Sequence, residues 1–257
     1  MLIGEIWSNP AVMSSYLQTG MDSIFDFVLA EKIRSSVLQG KNKGIISVVE
    51  NMTEVCGSKV DEFVNSTFLP NHDFPRLMTL MKEDTDKVKL VSAILLTLPD
   101  HPFIYYGDEL GLKAGKHLTW LAMPWDEAGK EPGQIDWTKT TNHLNRDVKP
   151  VSSQAQDRGS LHWHFKTLIR LRNRLPALVT GGIERVDMGS DTVLALTRKN
   201  SDSSLLVIHN LSDIEQHITL PLEVRSHLEQ LYPTPGRLRS EIPKRVIGPY
   251  ETVIVSR

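Results

Sequence analysis

A parallel α/β domain followed by an all-β sandwich is the fold class that this 257-residue sequence predicts. Three observations predict it. Short apolar runs alternate with helical patterns through the first two thirds of the chain, the signature of βα units. Those runs are continuous rather than alternating, as in strands covered by helices on both faces. After Pro176 the composition changes to closely spaced β-branched segments separated by turn residues.

The elements follow in order. Leu2 to Ile6 reads as a short buried strand, and Pro10 to Leu17 as a helix with proline near its start. Ser23 to Val28 is the next strand, with a helical pattern from Leu29 onward. Gly40 and Gly44 punctuate before a second helical stretch, Ile45 to Val60. Phe63 to Leu69 is the third strand. Asp86 to Leu98 is a helix whose apolar positions Val88, Leu90, Val91, Ile94, Leu95 and Leu98 form a broad buried face. Pro102 to Tyr106 is the fourth strand. The stretch from Gly107 to about Ser153 is too long for a plain connector and reads as a binding loop. Ser160 to Arg174 is an amphipathic helix. Beyond it, Thr192–Arg198, Ser204–Asn210, Gln216–Leu220, Leu228–Tyr232 and Thr252–Ser256 read as the strands of the sandwich. The predicted domains are therefore residues 1–176 and 177–257.

Composition narrows the function. A net charge of −2 with no basic stripe argues against a nucleic-acid partner. The most apolar window, Leu90 to Leu98, is far too short to span a bilayer. Cys56 is the one cysteine, so no intrachain disulfide can form. That suits a cytoplasmic protein and equally a secreted bacterial one. The chain opens directly on a strand, without the pattern of a signal peptide. His162 and His164 lie two apart on a helix, do not share a face and make a poor metal pair.

The segment Phe68-Leu69-Pro70-Asn71-His72-Asp73-Phe74-Pro75-Arg76 is an apolar run ending in His, Asp and Arg. A carboxylate beside an imidazole at the mouth of a strand suits holding a sugar ring and stabilising positive charge on it; equally, Asp73 could cap the next helix. The run resembles the strand-seven motif of the α-amylase family of glycoside hydrolases, F-x-x-N-H-D-x-x-R. Leu2-Ile3-Gly4-Glu5-Ile6-Trp7 resembles the family's strand-five motif, and Leu98-Pro99-Asp100-His101-Pro102-Phe103-Ile104-Tyr105-Tyr106-Gly107-Asp108-Glu109-Leu110-Gly111 its strand-eight motif. Trp120 to Glu127 resembles R-x-P-M-x-W-D, with no arginine at the expected place.

The resemblance implies the second half of a (β/α)8 TIM-type barrel followed by a Greek-key β-sandwich. It implies a retaining glycosidase acting on α-glucans such as starch and maltodextrins, with α-1,4 links preferred. Glu5 would be the general acid/base and Asp73 the carboxylate that steadies the oxocarbenium-like transition state. His72, Trp7, Asn71 and Arg76 would be the substrate-binding set, although Arg76 also suits orienting the following helix or pairing with acidic groups. Tyr105 and Tyr106 suit sugar stacking or the barrel core; Asp108 and Glu109 suit turn capping better than sugar binding.

The family's nucleophile lies on strand four in G-[FL]-R-x-D, and no Gly-x-Arg-x-Asp occurs in this sequence. A retaining mechanism needs two carboxyls about 5–5.5 Å apart, so the expected site lacks the attacking group. No cofactor is expected in these residues. Calcium is common in the family, but its usual ligands lie in the absent half. Expected partners are an α-glucan, the other barrel half, or a second copy meeting the open edges at Leu2–Ile6 and Pro102–Tyr106. The alternative reading is an inactive truncated fragment, or a glucan-binding or interaction module.

Overall fold

The computed structural model describes residues 1–60, 63–116, 118–128, 142–220, 229–233, 236–237 and 244–256. Four short parallel strands come first: β1 (Ile3–Gly4), β2 (Ser23–Ile24), β3 (Ser66–Thr67) and β4 (His101–Pro102). β1 pairs with β2 and β3 with β4, and a bridge between Phe25 and Ser66 joins the two pairs. Helices α1 (Pro10–Leu17), α2 (Phe27–Gln39), α3 (Ile45–Gly57), α4 (Leu77–Leu80) and α5 (Thr85–Thr97) connect and cover them. α6 (Val151–Gln154), α7 (Leu161–Arg174) and α8 (Pro176–Thr180) follow.

The paired strands are shorter than the sequence predicts. Ser23 to Val28 was expected as one strand, but α2 already begins at Phe27. Asp26 is the cause. Its fully buried carboxylate accepts the Leu29 amide at 2.8 Å and the Asn65 side-chain amide at 2.8 Å, which ends the strand and caps the helix. In Pro102–Tyr106 only the first residue belongs to the paired strand; Phe103 still donates to Thr67 O at 2.7 Å, and Tyr105 and Tyr106 curl into a turn over Gly107. The C-terminal ends of the apolar runs thus form a rim rather than more sheet. Among the described residues, β1 and β4 each have a strand on one side only.

The remaining strands are β5 (Gly182–Val186), β6 (Val193–Lys199), β7 (Ser204–Asn210), β8 (Gln216–Thr219), β9 (Glu229–Tyr232), β10 (Gly236–Arg237), β11 (Lys244–Ile247) and β12 (Thr252–Ser256). Six form one antiparallel sheet in the order β10-β9-β12-β7-β6-β5, and β8 pairs with β11 in a second. β5 went unread in the sequence, because Gly-Gly-Ile-Glu-Arg-Val has little apolar content and its strand lies at the sheet edge.

The large sheet is covered on both faces. Leu194, Leu196, Leu205, Val207 and Ile254 join one core with the helices, through residues such as Leu29, Ile33, Ile94 and Leu168. The alternate positions Val193, Ala195, Leu206, Ile208, Val253 and Val255 join a second core with Ile218 and Ile247 of the small sheet. Side chains alternate across a strand, so two covered faces make β6, β7 and β12 nearly continuous apolar runs.

Polar groups seal the joint between the two regions. A helix leaves its last carbonyls without partners, and here two arginines supply them to α5. Arg172 of α7 donates to Leu96 O (2.9 Å), Leu98 O (2.7 Å) and Asp100 O (2.6 Å). Arg198 of β6 donates to Thr97 O and Gly181 O, each at 2.7 Å. Two histidines complete the joint. His209 bonds Thr97 Oγ1 (3.2 Å) and Thr252 Oγ1 (2.8 Å); His164 reaches Lys89 O (2.9 Å) and the Tyr232 hydroxyl (2.8 Å).

Candidate active site

The rim at the C-terminal ends of β1 and β3 gathers most of the residues singled out in the sequence. Glu5 follows β1, and Asn71, His72 and Asp73 follow the buried run Phe68-Leu69. Asn71 Nδ2 donates to Glu5 Oε1 at 3.1 Å, across 66 positions of sequence. Asn71 Oδ1 accepts the Asp73 amide at 2.9 Å, a local turn that short polar side chains favour. One asparagine therefore ties the expected acid/base to the turn bearing the expected stabiliser. His72 Nε2 and Asp73 Oδ2 stand 3.7 Å apart, both largely open to solvent.

Trp7 adds an aromatic floor. It lies 73% exposed, yet one ring face stacks on Phe27 at 5.2 Å and 9°, with Phe74 tilted beside it at 5.4 Å. The backing rings fix its orientation while the outer face stays free, which suits contact with the apolar face of a sugar ring. Phe74 in turn lies under Arg34, whose guanidinium also donates to Leu69 O.

Arg76 departs from the expected sugar-contacting set. It is fully buried, with no exposed surface to offer a sugar. Its guanidinium donates to Tyr106 O and, at 2.6 Å, to Thr119 O. It packs on the Tyr105 and Tyr106 rings, 4.2 and 4.5 Å from their centroids. The motif's arginine is thus a strut beneath the rim, in line with the alternative role of orienting the next helix.

Asp108 stands 4.0 Å from Arg76 Nη1, too far for a hydrogen bond, and its Oδ1 has no hydrogen-bond partner. Complete burial pushes its carboxyl up to about 8, against the pull of Arg76 and with a further push from Glu109, so it is mostly neutral at pH 7. It also takes the Leu77 amide at the start of α4, a capping role. Tyr106 spends its hydroxyl on Leu121 O at 2.8 Å. The described residues include no cluster of three or more His, Cys, Asp or Glu able to hold a metal ion. His164 is absorbed in the joint by its bonds to Lys89 O and the Tyr232 hydroxyl.

Sequence reasoning missed Thr119. It is 2% exposed between Leu118 and Trp120, which are 50% and 68% exposed, and its hydroxyl donates to His72 O at 2.8 Å. Nothing in the local sequence marks it, because the contact depends on how residues 118–121 lie against Arg76 and Tyr106.

Comparison with known proteins places this geometry. Residues 1–181 match the model "Alpha amylase, catalytic domain", and residues 193–254 match "Alpha-amylase SusG C-terminal domain". The chain is 34% identical to Alpha-amylase 3 of Dictyoglomus thermophilum over 99% of its own length and 50% of the relative's. It is 26% identical to Alpha-amylase SusG of Bacteroides thetaiotaomicron over 98% of its length and 38% of the relative's. The crystal structure of alpha-amylase from H. orenii superposes with a TM-score of 0.82 at 26% identity, over all of this chain and 53% of that one. The chain thus spans between 38% and 53% of the length of these relatives. With the catalytic-domain model matched over residues 1–181 and the Glu5–Asn71–Asp73 rim in place, the chain belongs to the α-amylase family of glycoside hydrolases.

Proposed function

We propose that the chain forms the second half of a (β/α)8 barrel and carries two of the three carboxylates of a retaining α-glucan hydrolase. Glu5 serves as acid/base: protonated, it gives its proton to the glycosidic oxygen as the bond breaks, then takes one from the incoming water. Asp73 bonds sugar hydroxyls and stabilises the positive ring, with His72 on the same ring and Trp7 as the stacking floor. Asn71 fixes Glu5 relative to Asp73. Arg76 supports this rim from below rather than touching substrate. The single observation that carries the reading is the Asn71–Glu5 hydrogen bond, which unites the two motifs on one rim. No metal is needed in these roles.

The nucleophile has to come from outside these residues, on a strand bearing G-[FL]-R-x-D. The edge of β4 supports such a partner. A groove of about 510 Å³ runs between that edge and α7, lined by Ile104, Tyr106, Phe165 and Ile169. Two buried polar atoms on it, Glu109 Oε2 and His162 Nδ1, have no hydrogen-bond partner. A covering strand and helix would remove the exposed edge.

The test is nitrophenol release from a blocked maltoheptaoside, by the chain alone and after completion with a nucleophile-bearing half, beside Glu5→Gln. No release alone, release on completion and loss in Glu5→Gln are expected. Release by the chain alone that persists in Glu5→Gln would sink the assignment. The exposed Trp7 face also favours a second reading, a glucan-binding module without turnover. Maltoheptaose binding that Trp7→Ala abolishes, with no hydrolysis in any combination, would select it.

A further inference from the structure

We propose that Thr119 is a positioning residue of this site, pinning the peptide between His72 and Asp73. The inference rests on reading that turn as the sugar-binding rim. The side chains of His72 and Asp73 are more than half exposed, so packing does not fix them. Their placement depends on the backbone. A peptide unit is planar, so anchoring its carbonyl and its N–H fixes the whole plane. Both anchors are present: Asn71 Oδ1 accepts the Asp73 N–H at 2.9 Å, and Thr119 Oγ1 donates to the His72 carbonyl at 2.8 Å.

Thr119 is itself held from two directions, and the chain before it is fastened at Ala114. Arg76 donates to its carbonyl at 2.6 Å. The Tyr105 side chain also lies beside the Thr119 hydroxyl, close enough to interact with it. Further back, Arg76 N donates to Ala114 O at 3.0 Å and the Ala114 amide to Thr79 Oγ1 at 3.0 Å, which fastens the loop to α4. A residue that only filled this space could be valine. The hydroxyl is what reaches the rim, and the chain turns inward at Thr119 while both neighbours stay exposed. The buried Arg76 thereby acts on the sugar-facing turn through Thr119.

The experiment is amide hydrogen exchange and side-chain amide NMR on the ¹⁵N-labelled chain, comparing Thr119→Val, Thr119→Ser and Thr119→Ala. Thr119→Val should speed Asp73 amide exchange about tenfold, the loss of one hydrogen bond, and shift the Asn71 side-chain signals. Thr119→Ser should restore both, with amides of α5 and the large sheet unchanged. An unaltered Asp73 amide in Thr119→Val overturns the proposal. So does an equal rise at every amide, which would mean general destabilisation only. If Thr119→Val does not fold, Thr119→Ala carries the test, with the same rise at Asp73 expected and no rise overturning it. These signals need no glucan, so the proposal can fail while hydrolysis stands, and the reverse.

Discussion

The rim around Glu5 and the sheet around Leu196 use polar groups in opposite ways. In the joint beneath the large sheet, buried Arg172, Arg198 and His209 and the partly buried His164 all have hydrogen-bond partners drawn from distant segments. At the rim, paired strands are two residues long, the functional side chains are open to solvent, and the β4 side leaves buried polar atoms unmatched. Stability therefore resides in the joint, while the rim leaves its side chains open to solvent. Polar burial costs least where every donor finds an acceptor, and only the joint meets that condition.

The contrast can be broken first at the joint. Arg198→Met strips donors from the carbonyls of Thr97 and Gly181 inside the fold. A loss of about 3–5 kcal/mol in urea unfolding is expected. A loss below about 1 kcal/mol would show that the joint does not hold the chain together.

Acid should find the same place. Burial lowers His164 to about 4 and His209 to about 3, so both stay neutral in the folded chain at pH 5. The unfolded chain takes up protons below about 6.5, so stability is complete above that pH and falls as pH drops toward 4. Each histidine should cost about 2 kcal/mol between pH 7 and pH 5. Melting curves at the two pH values should show His209→Gln with a visibly flatter dependence; an unchanged slope would remove His209 from the account.

At the rim the effects shrink. Asn71→Ala removes the bonds to Glu5 and to the Asp73 amide in a solvent-open turn. It should cost only about 0.5–1 kcal/mol of stability, yet cut maltoheptaoside hydrolysis in the completion assay of the proposed function at least tenfold. Equal losses in both would erase the distinction between the regions. Smallest of all should be Lys41→Gln. Its 3.4 Å pair with Asp191 also joins a helix to the sheet region, but both side chains are more than half exposed. A change within about 0.5 kcal/mol, shrinking further in salt, is expected in the same urea experiment.

Much of this was legible from residues. The order of strands and helices followed from apolar runs and punctuation, and the Glu5 and Asn71–Asp73 motifs proved to share one rim. Strand lengths were not legible, because Asp26 ends β2 by capping α2 and apolar content alone cannot reveal a cap. Arg76 was misplaced among sugar contacts since its burial comes from Tyr105, Tyr106 and a loop more than 40 residues on. Thr119 and the arginines of the joint were invisible for the same reason: each acts on a backbone carbonyl, which leaves no trace in side-chain pattern.

Helix α5 is finished by arginines from two different stretches of the chain, α7 before Pro176 and β6 after it. Composition draws a line near that proline, but the end of α5 is common property on both sides of it. A cut there would divide the polypeptide without dividing the folding unit. Each piece would carry away orphaned carbonyls or orphaned guanidiniums, so the two regions depend on each other for the end of one helix.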